Sequence, residues 1–187
     1  MSSTILRATG WILCAGTCLS AHAQSAPPIK PGLWQVTAQR VSNGTAVAPP
    51  NDRLASLPPE QRKQVEAAMK ARGIDVSGGS GGGSGGGTKI CLSKESLAQG
   101  HWQGRAGCKT DVKTRSDKAW AWHSSCSQPA SETDGEATFT DAENYVVRTS
   151  TVMTLNGQSR TSQNTIAARW LGANCGELKP FTPPAGP

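Results

Sequence analysis

Apolar and polar residues alternate with a period of two over much of the second half of this chain. The clearest run is Asn144 to Leu155, where Tyr145, Val147, Thr149, Thr151, Met153 and Leu155 share one face. That period marks a half-buried β-strand. Asn156-Gly157 follows, a dipeptide suited to a two-residue hairpin. Ser159 to Leu171 then reads as a more polar strand with Ile166, Ala168 and Trp170 together. Upstream, Lys118 to Cys126 places Trp120, Trp122, Ser124 and Cys126 on one face, and Ser131 to Thr140 does the same for Ala137 and Phe139. Cys108 to Arg115 alternates weakly, and Ser116-Asp117 supplies a turn after it. Near the N-terminus, Trp34, Val36 and Ala38 alternate with Gln35, Thr37 and Gln39 before Asn43-Gly44 breaks the strand.

Between this first strand and a short one at Lys89–Leu92 the pattern changes. Residues 46–59 are rich in Ala and Pro, and Glu60 to Arg72 has strong helix propensity with Gly73 as a stop. The helix has only Val65, Ala68 and Met69 to bury, so loose docking is expected. Ser77 to Gly87 contains only Gly and Ser, the composition of a flexible coil and not of a phosphate-binding loop. A helical turn is expected over Ser93 to Gln99. The predicted fold is therefore mainly β: an antiparallel meander of about seven strands, as a curved open sheet or a small barrel. One helix and the Gly-rich stretch form a mobile insertion, residues 46–87, between the first two strands. Residues 177–187 form a Pro-rich tail.

Residues 1–23 have the form of a signal peptide. Arg7 precedes a short apolar run, and Ala21-His22-Ala23 matches the A-x-A cleavage pattern. The run is too short to span a bilayer, and no later stretch is apolar enough to do so. Cleavage near Ala23 leaves residues 24–187 as one β-rich domain in the periplasm. Cys91, Cys108, Cys126 and Cys175 remain, an even number that reads as two disulfides. None forms a C-x-x-C, which excludes a thioredoxin-type site and a zinc ribbon. Loop locality favours Cys91–Cys108 and Cys126–Cys175. The net charge of +6 is spread along the chain rather than clustered, so no nucleic-acid partner is expected.

Little chemistry is on offer. His101 and His123 are the histidines that remain after cleavage, and neither has a recognisable partner in sequence. Glu132, Asp134 and Glu136 alternate along one strand face, where they would hold a hard cation such as calcium or simply face water. No catalytic residue, metal or cofactor is assigned. The aromatic residues stand out more. Trp34, Trp120, Trp122, Tyr145 and Trp170 converge on one face of the expected sheet, as its core or as the lining of a pocket. The reading that follows is a binding module for a small apolar ligand or an envelope component. An envelope-assembly or stress accessory acting through protein contacts is the alternative, and a hydrolase using His101 or His123 the remote one.

The ordered set of Pro31-Gly32-Leu33-Trp34, Cys91-Leu92-Ser93-Lys94-Glu95, Cys108, a Trp-rich strand reaching Cys126, and Arg169-Trp170-Leu171-Gly172 before Cys175 carries a resemblance. Over about residues 30–176 the chain resembles a bacterial exported family catalogued as domain of unknown function thirty-six-seventeen. It departs from relatives that are Met-rich around the helix, having only Met69 there. The resemblance implies export and four structural cysteines, and no activity.

Overall fold

A computed structural model describes residues 26–48, 50–76, 87–98 and 107–181. The expected signal peptide, most of the Gly/Ser run, His101 and Trp102 lie outside these residues.

The strands are β1 (Gly32–Ser42), β2 (Thr45–Val47), β3 (Ile74–Asp75), β4 (Thr88–Leu92), β5 (Cys108–Arg115), β6 (Ala119–Ser127), β7 (Ala130–Phe139), β8 (Asn144–Leu155) and β9 (Gln158–Gly172). Three helices accompany them: α1 (Pro50–Ala55), α2 (Pro59–Ala71) and α3 (Lys94–Ala98). The strands form one antiparallel sheet in the order β3-β4-β1-β9-β8-β7-β6-β5, with β2 paired to the end of β1. The sheet is open, its path ending at β3 and β5 with β2 beside β1, so of the two shapes the sequence allowed it is the open sheet and not the barrel.

The meander expected along the whole chain holds from β5 to β9. There the Asn156-Gly157 hairpin has both residues at positive φ, 51° and 75°, as a tight right-twisting turn requires. After β9 the order changes, because β1 pairs with β9 on one side and β4 on the other. The described part of the insertion holds more elements than expected, although α2 buries no residue, as its thin apolar stripe implied. It contributes β2, α1, α2 and β3, and it accounts for the two strands and one of the two extra helices beyond the expected number. β2 and β3, three and two residues long, are too short to show a period. Residue 180 of the tail bridges Cys91, and Phe181 donates its amide to the Cys91 carbonyl at 2.7 Å and packs on the core.

One face of the sheet holds the core: Ile29, Trp34, Leu92, Leu97, Trp120, Ala137, Phe139, Tyr145 and Ala168. Helix α3 supplies Leu97, and Ser93 caps it by accepting from the Ser96 amide at 3.1 Å.

The disulfides are Cys91–Cys175 and Cys108–Cys126, which overturns the pairing expected from loop locality. Register decides it. Cys108 lies directly opposite Cys126 across the β5–β6 hairpin, Cα to Cα 4.3 Å. The turn after β9 meanwhile returns to β4, where Cys175 meets Cys91.

Candidate functional site

The five aromatic residues predicted to converge do share one face of the sheet, but they divide into two roles. Trp34 is fully buried and its ring lies 5.1 Å from that of Tyr145. Phe139 stands 6.3 Å from Tyr145 and 5.6 Å from Trp120, edge-on to the latter. This chain of rings is the core itself, and burial pushes the Tyr145 hydroxyl up to about 12. The polar tips are met by backbone: Trp34 Nε1 donates to Lys30 O at 3.0 Å, Trp120 to Ser116 O at 3.0 Å and Trp170 to Pro31 O at 3.1 Å. Such bonds fix amphipathic rings in place. Trp170 and Trp122 are half-buried at the margin. Lys30 sits 4.8 Å over the Trp170 ring and pairs with Glu143 at 2.5 Å, while the Trp122 indole covers the Cα of Gly135. The three cavities described below and beside the helices are lined by other residues than these five.

Farther along the same face the apolar rows stop. Ser42, Ser162, Thr151, Thr133, Ser124 and Thr110 form a single row across six strands. Thr110 and Ser124 share a hydrogen bond of 2.8 Å, and Thr133 and Thr151 one of 2.9 Å. The adjoining row carries Arg40, Asn164 and Thr149. Over β1, β9 and β8 these two rows border a cavity of about 370 Å³, walled by Arg40, Thr149, Thr151, Ser162 and Asn164. Ala38, Val47 and Ala48 give its apolar side, and Arg53 from α1 closes the opposite side. A volume in this range is that of a small-molecule site.

Sequence reasoning missed this site, although a signal was present. Arg40 continues the Trp34-Val36-Ala38 face of β1, so a cation stands where the alternation calls for an apolar residue. Thr149-Thr151 and Asn164-Ser162 break the inward faces of β8 and β9 at the same depth.

On the outer face, His123 lies between Asp134 and Glu132. Nδ1 meets Asp134 Oδ1 at 2.8 Å and Nε2 meets Glu132 Oε2 at 2.9 Å. These carboxylates, Asp134 foremost, raise the imidazole pKa above its ordinary value of 6.5. Ser125 donates to Glu132 at 2.7 Å and not to the imidazole. Both ring nitrogens of His123 are thus occupied by acids. Glu136 lies opposite Arg148 across β7 and β8. Glu132 and Asp134 are thus engaged by His123, and among the described residues no group of three His, Cys, Asp or Glu side chains is arranged to hold a metal ion. A second groove on this face, of about 410 Å³, runs past Asp134, Glu136 and Arg148 and carries both signs of charge.

Together these features define an open-sheet β protein, stapled by two disulfides, with its core at one end of a face and a polar cavity at the other. The disulfides fit an exported protein. Among the described residues no helix is long and apolar enough to cross a membrane. The chain belongs to the family described as "Protein of unknown function (DUF3617)", which matches residues 29–175. This is the family the sequence resembled, and the match runs from core residue Ile29 to disulfide-bonded Cys175. The chain is also similar to "Uncharacterized protein in lpd-3 5'region" of Pseudomonas putida, at 29% identity over 125 residues, 63% of this chain and 80% of that protein. No solved structure matches it.

Proposed function

We propose that this is a periplasmic binding module without catalysis, and that it holds a small ligand in the cavity bordered by β1, β8, β9 and α1. The observation that carries the reading is the break in the inward-facing alternation. Three neighbouring strands turn polar at one depth and leave about 370 Å³ open there, where a sheet built only for stability would continue its core. The occupant is polar rather than apolar, because the tryptophans are taken up in packing.

The accessory reading, acting through edge strands, has less support. Edge β3 is two residues long, and edge β5 carries Lys109 and Lys113 and a break in register between Val112 and Thr114. Short, bulged and lysine-bearing edges resist pairing with another chain.

Native mass spectrometry of protein purified from the periplasm without reductant tests the proposal. The expected result is the mass of residues 24–187 with both disulfides, together with a co-purifying small molecule. Ala38→Leu, which narrows the cavity, should lose that molecule while keeping the wild-type unfolding temperature to within a few degrees. A bare oxidised mass, with no small molecule rebound from periplasmic extract, would refute the binding reading.

A further inference from the structure

We infer that the cavity selects an organic anion, a small molecule bearing a carboxylate or phosphate group, with Arg40 and Arg53 as its anion-binding pair. This rests on the binding reading above and names the ligand class it implies.

The charge around the cavity is one-sided. Arg40 and Arg53 are the charged residues in its wall, and no acidic side chain is among those that line it. Neither arginine forms an ion pair or a side-chain hydrogen bond with another described residue. The carboxylates of the neighbouring strands lie on the opposite face of the sheet, where Glu132 and Asp134 hold His123 and Glu136 faces Arg148. The sheet thus separates Arg40 from the carboxylates of β7, and Asp52 of α1, next to Arg53 in sequence, is not among the residues lining the cavity.

The neutral groups fit the same ligand. Asn164 lies between Arg40 and Thr149 in register, so an amide and then a hydroxyl continue the row that begins at Arg40. Hydroxyls and amides donate to the oxygens of an oxyanion, and a guanidinium engages two of them with a planar fork. Helix α1, which carries Arg53, is braced against α2. Arg62 donates to the carbonyls of Ala55 at 2.9 Å and Leu57 at 3.2 Å, which ties the end of α1 to the start of α2. A site whose parts are held before the ligand arrives loses less conformational freedom on binding. The apolar side made by Ala38, Val47 and Ala48 leaves room for a carbon skeleton behind the charged group.

Isothermal titration calorimetry with the oxidised protein separates the possibilities, using citrate, glycerol phosphate and uncharged glucose as probes. The expected result is binding of at least one anion, weakened by added salt, with no heat from glucose. Arg40→Gln and Arg53→Gln should each weaken that binding by about tenfold or more, as loss of a charge-assisted hydrogen bond does. Arg148→Gln, the same charge change on the other face of β8, should leave it unchanged. Citrate alone binding assigns the carboxylate class, and glycerol phosphate alone the phosphate class. Anion binding that survives both arginine substitutions overturns the inference. So does a co-purified molecule that proves uncharged, or glucose binding without either anion, although both outcomes leave the binding reading standing. If no probe binds and no molecule co-purifies, both fall.

Discussion

Gly135→Ala places a methyl group inside a ring. A Cβ at position 135 would lie 2.1 Å from Trp122 Cε2, 2.3 Å from Cζ2 and 2.6 Å from Nε1. Carbon atoms pack at about 3.5–4.0 Å, so the indole must retreat by roughly 1.5 Å or the strands must part. Overpacking of this kind costs about 1–3 kcal/mol. It is partly offset by about 0.5–1 kcal/mol, because alanine loses less backbone freedom than glycine in a strand. The net expectation is a loss of about 1–2 kcal/mol. Trp122→Ala alone should cost about 2 kcal/mol, below the range for a fully buried Trp because this ring is half-buried. With the indole gone, Gly135→Ala should be neutral or slightly stabilising. The four proteins of this cycle, unfolded in urea without reductant and followed by far-ultraviolet circular dichroism, should therefore give a coupling energy of about 2 kcal/mol. An equal cost for Gly135→Ala in both backgrounds would show that glycine is not there to admit the indole.

Three more predictions rest on the bonds described. Peptide mapping without reductant should recover Cys91–Cys175 and Cys108–Cys126 as linked pairs. Replacing the first pair by alanine should cost about 4.5 kcal/mol and the second about 3 kcal/mol, since their sequence separations are 84 and 18; equal losses in urea unfolding would contradict that loop-length account. The pKa of His123 is raised in the folded protein, so its contribution to stability is complete below the unfolded value of 6.5 and disappears as pH rises through the folded value. Wild type should accordingly exceed His123→Gln in urea midpoint by an amount that shrinks from about pH 5 to about pH 9. A constant difference across that span would place the stabilisation in something other than the charged imidazole.

What the sequence made legible depended on whether the signal was local. The alternation in β8 and the Asn156-Gly157 turn are local, and both appear where the pattern puts them. The side-chain faces of β1, β6, β7 and β9 also follow from parity alone. Pairing between distant segments is a different matter. The alternation of β1 says which side chains point inward, but nothing in it says that β9 and β4 are its neighbours. That is why loop length missed Cys91–Cys175, whereas Cys108–Cys126 is local and follows from the register of the β5–β6 hairpin, which loop length does not weigh. Phe181 fared similarly, since a Pro-rich tail carries no period and its packing against the core comes from the Cys91 backbone beside it. The cavity fell between the two cases. Each polar substitution on an inward face was visible, but only the register of β1, β9 and β8 sets Arg40, Asn164 and Thr149 side by side.

The nested order of the two disulfides bears on how the chain matures. A polypeptide entering an oxidising compartment from its N-terminus presents Cys91 first, then Cys108, then Cys126, with Cys175 last. The first two thiols to meet an oxidant are thus ones that are not joined in the finished protein. Strand β1 likewise waits for β9, made more than a hundred residues later. If oxidation were to outrun entry of the chain, Cys91 and Cys108 would be the first thiols able to link, and reaching the final pairing would then require thiol–disulfide exchange.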